Sequence, residues 1–168
     1  FEEYDVVVAP VLHLVPATLR DRLVGFVERG GHLVTTYFSG IVDEHDHVWL
    51  DGYPGALRDV LGIRIEELAP LLDGEQVTLD DGRVGTLWTD RIEVTSEDTE
   101  VLAAYASGPQ AGRPAITRRV PERGSATYVS TRLGAAGIAP ALATVLEHAG
   151  VESELPSALR GRVELTVR

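Results

Sequence analysis

The residues with most chemical potential lie together in Phe38-Ser39-Gly40-Ile41-Val42-Asp43-Glu44-His45-Asp46-His47-Val48-Trp49-Leu50-Asp51-Gly52-Tyr53-Pro54. Asp43, His45 and His47 combine a carboxylate with two imidazoles, a donor set that suits a transition metal. The bland alternative is a solvated acidic loop whose histidines touch a neighbour. No helical spacing or established ligand signature favours the metal, so no metal is expected, and Asp43, His45 and His47 stay weak candidates. Ser39 follows a strand, where a nucleophile could be presented. Yet Tyr37-Phe38-Ser39-Gly40-Ile41 is not the G-x-S-x-G elbow, and a Ser-Gly turn explains it more simply. Phe38, Trp49 and Tyr53 add large aromatic area, which anchors interfaces. Phe38, His45, His47, Trp49 and Tyr53 are therefore the candidates for an interface or for the rim of an active site.

Other chemistries are excluded by composition. The 168 residues contain no Cys, so disulfides, thiolate nucleophiles and Cys-ligated zinc are ruled out. All the cationic side chains are Arg, and without Lys there is no Schiff-base chemistry. The formal net charge of -11 repels phosphate backbones and anionic lipid, so nucleic acid and membranes are not expected partners. No apolar run approaches the roughly 18 residues that cross a bilayer. The first strand is followed by Pro10-Val11-Leu12-His13-Leu14-Val15-Pro16, which lacks the glycines of a dinucleotide turn. No cofactor is expected.

The elements that must hold the loop are legible from periodicity. Val6-Val7-Val8-Ala9 is a continuous apolar run, as in strands covered on both faces. Leu19, Leu23, Phe26 and Val27 recur on one helical face, and Gly30-Gly31 closes the helix. Leu33 to Tyr37 is the next strand, completing a right-handed βαβ unit. A short helix over Ala56 to Leu61 and a brief strand over Ile63 to Ile65 follow, and then an irregular acidic stretch over 66–76. Asp80-Asp81-Gly82 marks a turn between the extended runs 76–79 and 83–88. Ile92-Glu93-Val94 extends that structure. Val101 to Tyr105, Ala115 to Arg119 and Ala126 to Thr131 read as strands with links too short for parallel crossovers, hence a meander. A last helix presents Ile138, Leu142, Val145, Leu146 and Ala149 on one face. Residues 151–160 read as a linker, and Val163 to Val167 as a strand opening another domain. The start lacks Met and a charged region preceding an apolar core. A cytoplasmic piece of a longer protein is the expectation.

Several stretches also carry a resemblance. They are Tyr4-Asp5-Val6-Val7-Val8-Ala9-Pro10, Phe26-Val27-Glu28-Arg29-Gly30-Gly31, Thr36 to Glu44, Gly52-Tyr53-Pro54-Gly55, Gly112-Arg113-Pro114-Ala115 and Tyr128-Val129-Ser130-Thr131-Arg132. Over residues 4–150 the chain resembles the middle, trimerisation domain of glycoside hydrolase family 42 β-galactosidases. The resemblance implies an α/β three-layer sandwich with a mixed, mainly parallel sheet. That sandwich is flavodoxin-like, akin to class I glutamine amidotransferases, and here lacks its first strand and helix. It implies a trimerisation-like domain over 1–150, then a linker and the first strand of a following β-domain over 151–168. The partners implied are the TIM-barrel domain of the parent chain and neighbouring subunits of a trimer. Both catalytic glutamates belong to that barrel, so no catalytic residue is assigned here and the chain alone is expected to be inactive. Two rival readings are a stand-alone amidotransferase-like hydrolase using Ser39 or a metal, and a sugar-binding module stacking a pyranose on Trp49, Tyr53 or Trp88.

Overall fold

The computed structural model describes residues 3–50, 52–153, 155–159 and 161–163. The strand expected over Val163 to Val167 lies outside the described residues except for Val163.

The βαβ unit forms as periodicity requires. Strand β1 (Val6–Ala9) leads to helix α1 (Ala17–Glu28) and strand β2 (His32–Thr36), which pairs parallel with β1. Pro16 precedes the first helical turn, where a missing N–H costs nothing. The chain then makes its long excursion to helix α2 (Arg58–Leu61), ended by Gly62 in the left-handed region.

Strand β3 (Ile63–Pro70) is longer than the brief strand expected, and the irregular reading of its second half is corrected here. Glu66 and Glu67 have poor strand propensity. Glu67 is nevertheless held by antiparallel pairing with a later strand, and Glu66 falls at the register shift between Ile65 and Glu67. Strands β4 (Gln76–Thr78) and β5 (Val84–Thr86) form the hairpin that Asp80-Asp81-Gly82 signals. Strand β6 (Trp88–Val94) is the partner of β3. Strands β7 (Thr99–Ala104), β8 (Pro114–Arg119) and β9 (Ser125–Val129) form the expected antiparallel meander. A two-residue strand β10 (Arg132–Leu133) joins β5, and helix α3 (Ala135–His148) follows. Residues Ser157–Leu159 make a 3-10 turn within the stretch read as linker.

The main sheet runs β1-β2-β9-β8-β7. Two of its pairings are parallel and two antiparallel, so it is mixed without being mainly parallel. The sequence expectation overweighted the first βαβ unit. Helices α1 and α2 cover one face, where Leu23, Phe26, Leu57 and Leu61 pack with Leu33, Ala126 and Tyr128. On the other face, Ile138 of α3 packs beside a second cluster built from Val77, Leu79, Tyr105, Ile116 and Val129. Of the apolar face read for α3, only Val145 is fully buried.

Candidate functional site at the strand ends

Strands β1, β2 and β9 all run the same way, and their C-terminal ends form one rim. The segment after β2 occupies that rim. It is no loose loop: Val42 bridges Leu14 on one side and Val48 on the other, and Tyr53 bridges Ile65. The Trp49 N–H donates to Ile41 O at 3.1 Å, pinning the excursion at its base.

Phe38 has φ of 63°, uncommon for a bulky residue and strained. That backbone turn places its ring among other aromatics. The ring stacks on His13 at 4.9 Å and meets Trp88 edge to face at 5.1 Å. Trp88 also stacks with Tyr37 at 6.3 Å. Ring pairs in this distance range add about 0.5–1.5 kcal/mol each beyond area burial. Residues from the ends of β1 and β2 and from the start of β6 thus make one half-buried cluster.

Beneath it lies a buried polar network. Trp88 Nε1–H donates to Asp90 Oδ1 at 2.7 Å, and the Tyr128 hydroxyl donates to Asp90 Oδ2 at 2.7 Å. Asp90 has 0% exposure. Burial pushes its carboxyl up to about 7, against the two donated hydrogen bonds. Tyr105, whose hydroxyl shares a 2.7 Å bond with Ser130, and Tyr128 have their phenols pushed up, first of all by burial.

The tip of the excursion is exposed. Asp43 Oδ1 accepts from the backbone N–H of His45 at 2.8 Å and of His47 at 3.0 Å. These donors, His47 first, hold its carboxyl below the usual range. The carboxylate therefore fastens a turn. The His45 and His47 rings lie 5.9 Å apart, and among the described residues no group of three ligating side chains could hold a metal ion. Trp49 and Tyr53 lie lower and are partly buried against the α1–α2 core. Trp49 Nε1–H donates to Val15 O at 3.2 Å, and the Arg20 guanidinium sits over its ring. Ser39 is fully buried; its Oγ accepts from the Leu12 N–H at 2.9 Å and stands 2.8 Å from Thr35 Oγ1. It stitches the ends of β1 and β2 together and is closed to any substrate.

Asp90 is not among the candidate residues that the sequence pattern singles out. One signal was available: Trp88, Asp90 and Ile92 alternate onto a single strand face, and Ile92 is plainly apolar.

The family model for the β-galactosidase trimerisation domain of glycoside hydrolase family 42 matches residues 1–152. The chain belongs to that family. β-Galactosidase LacA of Lactobacillus acidophilus is 38% identical over 160 residues, 91% of this chain and 23% of its own length. A β-galactosidase of Arthrobacter sp. is 38% identical over 98% of this chain and 23% of its own. Among solved structures, the β-galactosidase of Bacillus circulans sp. alkalophilus superposes with a TM-score of 0.85 at 38% identity, covering 92% of this chain and 24% of that one. Gan42B, a family 42 β-galactosidase, superposes with a TM-score of 0.84 at 29% identity over 91% of this chain and 22% of its own. The trimerisation domain thus spans about a quarter of the length of these relatives. Among the described residues no helix is long and apolar enough to cross a membrane.

Proposed function

We propose that this trimerisation domain acts as a non-catalytic scaffold in a β-galactosidase, holding a TIM-barrel domain and neighbouring subunits in a trimer. The parent would hydrolyse terminal β-D-galactosides with carboxylates of its barrel. The observation that carries this reading is an apolar surface at the strand-end rim. Leu50 is 83% exposed, Val48 51%, Val11 44% and Leu14 43%, and Val42 links Leu14 to Val48 by backbone bridges. Exposed apolar side chains grouped on bridged segments mark an interaction site. Phe38, His45, His47, Trp49 and Tyr53 would line it or brace it from below. A cytoplasmic location belongs to the same reading, as does the exclusion of nucleic acid and membrane as partners, which the acidic charge supports.

Tyr4 is 63% exposed and Val8 50%, so the outer edge of β1 is open. A strand and helix from elsewhere in the larger protein would complete a flavodoxin-like, amidotransferase-like sandwich there. Residues 1–150 would be the domain, and 151–168 the link to a following β-domain. Buried Ser39 speaks against a stand-alone hydrolase.

The test uses the full-length enzyme carrying Val48→Asp and Leu50→Asp. Light scattering should show loss of the trimer, while the separate 168-residue chain should cleave no galactoside. An intact trimer in the double variant, or turnover by the chain alone, defeats the proposal.

A further inference from the structure

Helix α3 lies loosely on its face of the main sheet, with Val145 its one fully buried residue among those described. Between α3, the sheet and the β4–β5 turn a cleft of about 420 Å³ stays open. That volume falls within the roughly 300–1,000 Å³ of small-molecule sites. Its walls are aliphatic, built from Leu102 and Ile116 of the sheet and from Pro140 and Ala141 of the helix. Among the described residues no aromatic ring lines it.

Thr127 of β9 supplies the floor. Its neighbour Tyr128 points into the α1–α2 core, so strand alternation turns Thr127 toward α3. Thr127 is 1% exposed and lines the cleft, and its Oγ1 has no hydrogen-bond partner. Valine has the same shape without the polar atom, and a buried hydroxyl left unpaired is unfavourable. Neighbouring groups are already engaged. Arg118, beside Thr127 in register on β8, donates from Nε to Glu100 Oε1 at 2.7 Å. Thr144 also lines the cleft, but its hydroxyl donates to Pro140 O at 3.1 Å. Thr99 and Thr117 hold unpartnered hydroxyls as well, yet neither lines this cleft.

At the mouth, Arg83 Nε donates to Asp81 Oδ2 at 2.7 Å, and that bond first of all holds the Asp81 carboxyl below its usual range. The two charges answer each other and leave no counter-charge for an ion. An ion carried to the floor would meet aliphatic walls and one neutral hydroxyl, which do not replace its hydration. Without a ring to stack on, a pyranose or a nucleobase gains little there. The Thr127 hydroxyl both donates and accepts, so it suits another neutral hydroxyl.

We propose that this cleft is a binding site for a short aliphatic alcohol, its hydroxyl on Thr127 Oγ1 and its hydrocarbon body against Leu102, Ile116 and Ala141. The site lies on the α3 face and does not rest on the scaffold reading.

The test is a titration of the full-length enzyme, labelled at its isoleucine methyls, with isoamyl alcohol. The Ile116 methyl signal, identified by its loss in Ile116→Val, should shift and saturate with a dissociation constant on the order of 1–10 mM, as befits so small a ligand. Isoamylammonium and isovalerate, which carry a charge on a closely similar skeleton, should leave the signal in place. Thr127→Val should weaken the alcohol about five- to tenfold, Thr127→Ser should keep it, and Ala141→Leu should abolish binding by filling the cleft. An Ile116 methyl that does not move with the alcohol shows a cleft holding water alone and overturns the proposal. Equal binding of the charged ligands, or undiminished affinity in Thr127→Val, does the same. Should Thr127→Val not fold, the comparison of the three ligands on the unmutated enzyme decides.

Discussion

The Tyr128 hydroxyl reaches Asp90 Oδ2 at 2.7 Å, tying the central strand β9 to the β3–β6 ribbon that packs over it. The bond joins residues 38 positions apart and is wholly buried. Removing it with Tyr128→Phe leaves the carboxyl a single donor. We expect a loss of about 1.5–3 kcal/mol in urea unfolding, the range for a hydrogen bond to a charged group, with the larger loss above neutral pH. Equal losses at pH 5 and pH 8 would show that the carboxyl does not change charge in the fold between those values.

Stability should fall as the solution becomes more alkaline. The folded Asp90 titrates at about 7. In the unfolded chain the same group titrates at about 3.9. Between those values the fold holds a proton that the unfolded chain has released. The contribution is complete below about pH 4 and is lost as pH climbs through 7. It amounts to something on the order of 3 kcal/mol between pH 5 and pH 8. His32, held below its ordinary range first by burial and then by His148, acts in the opposite direction at the acidic end of that window. Comparing denaturation midpoints with Asp90→Asn isolates the carboxyl, and the variant should lack the alkaline decline.

Two leucines separate folding from association. Leu57 is fully buried between α1, α2 and the sheet. Leu57→Ala should cost about 2–5 kcal/mol by thermal or urea unfolding. Leu50 is 83% exposed, and Leu50→Ala should stay within about 0.5 kcal/mol in the same assay. If the rim is an interface, that second change should instead weaken the trimer of the full-length enzyme, read as a lower mass on dilution.

Gly124 sits where the turn before β9 presses on the end of α1. Its φ is +62°, and an added Cβ would lie 2.4 Å from both Gly31 O and Val27 O. Gly112 has φ of +81° but nothing within 4 Å of such an atom. Gly112→Ala should therefore cost only the left-handed penalty, about 1–2 kcal/mol. Gly124→Ala should cost clearly more, because backbone carbonyls cannot step aside. Similar melting temperatures for the two would refute the close approach.

What could be read from the chain was what short-range pattern encodes. The apolar run Val6 to Ala9, the Leu23–Phe26–Val27 face and the Asp80-Asp81-Gly82 turn each state their own structure. Phe38 could be placed because a segment following a strand falls on the sheet's rim. Glu66 and Glu67 misled, since their charge argues against a strand that only β6 makes possible. Trp49 and Tyr53 suggested anchors for a partner, yet both spend much of their surface on the chain's own core. Asp90 was illegible as a buried acid: in Thr89-Asp90-Arg91 it looks like solvated strand, and it is Tyr128, far along the chain, that covers it. Such burial is decided by tertiary crossing, of which the alternation of Asp90 with Ile92 is the one local trace.

The strand order carries a last consequence, for how the molecule comes into being. Strand β2 lies beside β9, and the His32–Ser125 contact across that seam spans 93 residues. During synthesis, β1 and β2 must wait with one flank unmatched until nearly the whole domain has emerged. Pairings so distant along the chain slow folding, because the entropy of closing the loop must be met before the seam returns anything. Refolding of this domain should accordingly be slow for its size, and its nascent first third is the portion most in need of a chaperone's cover.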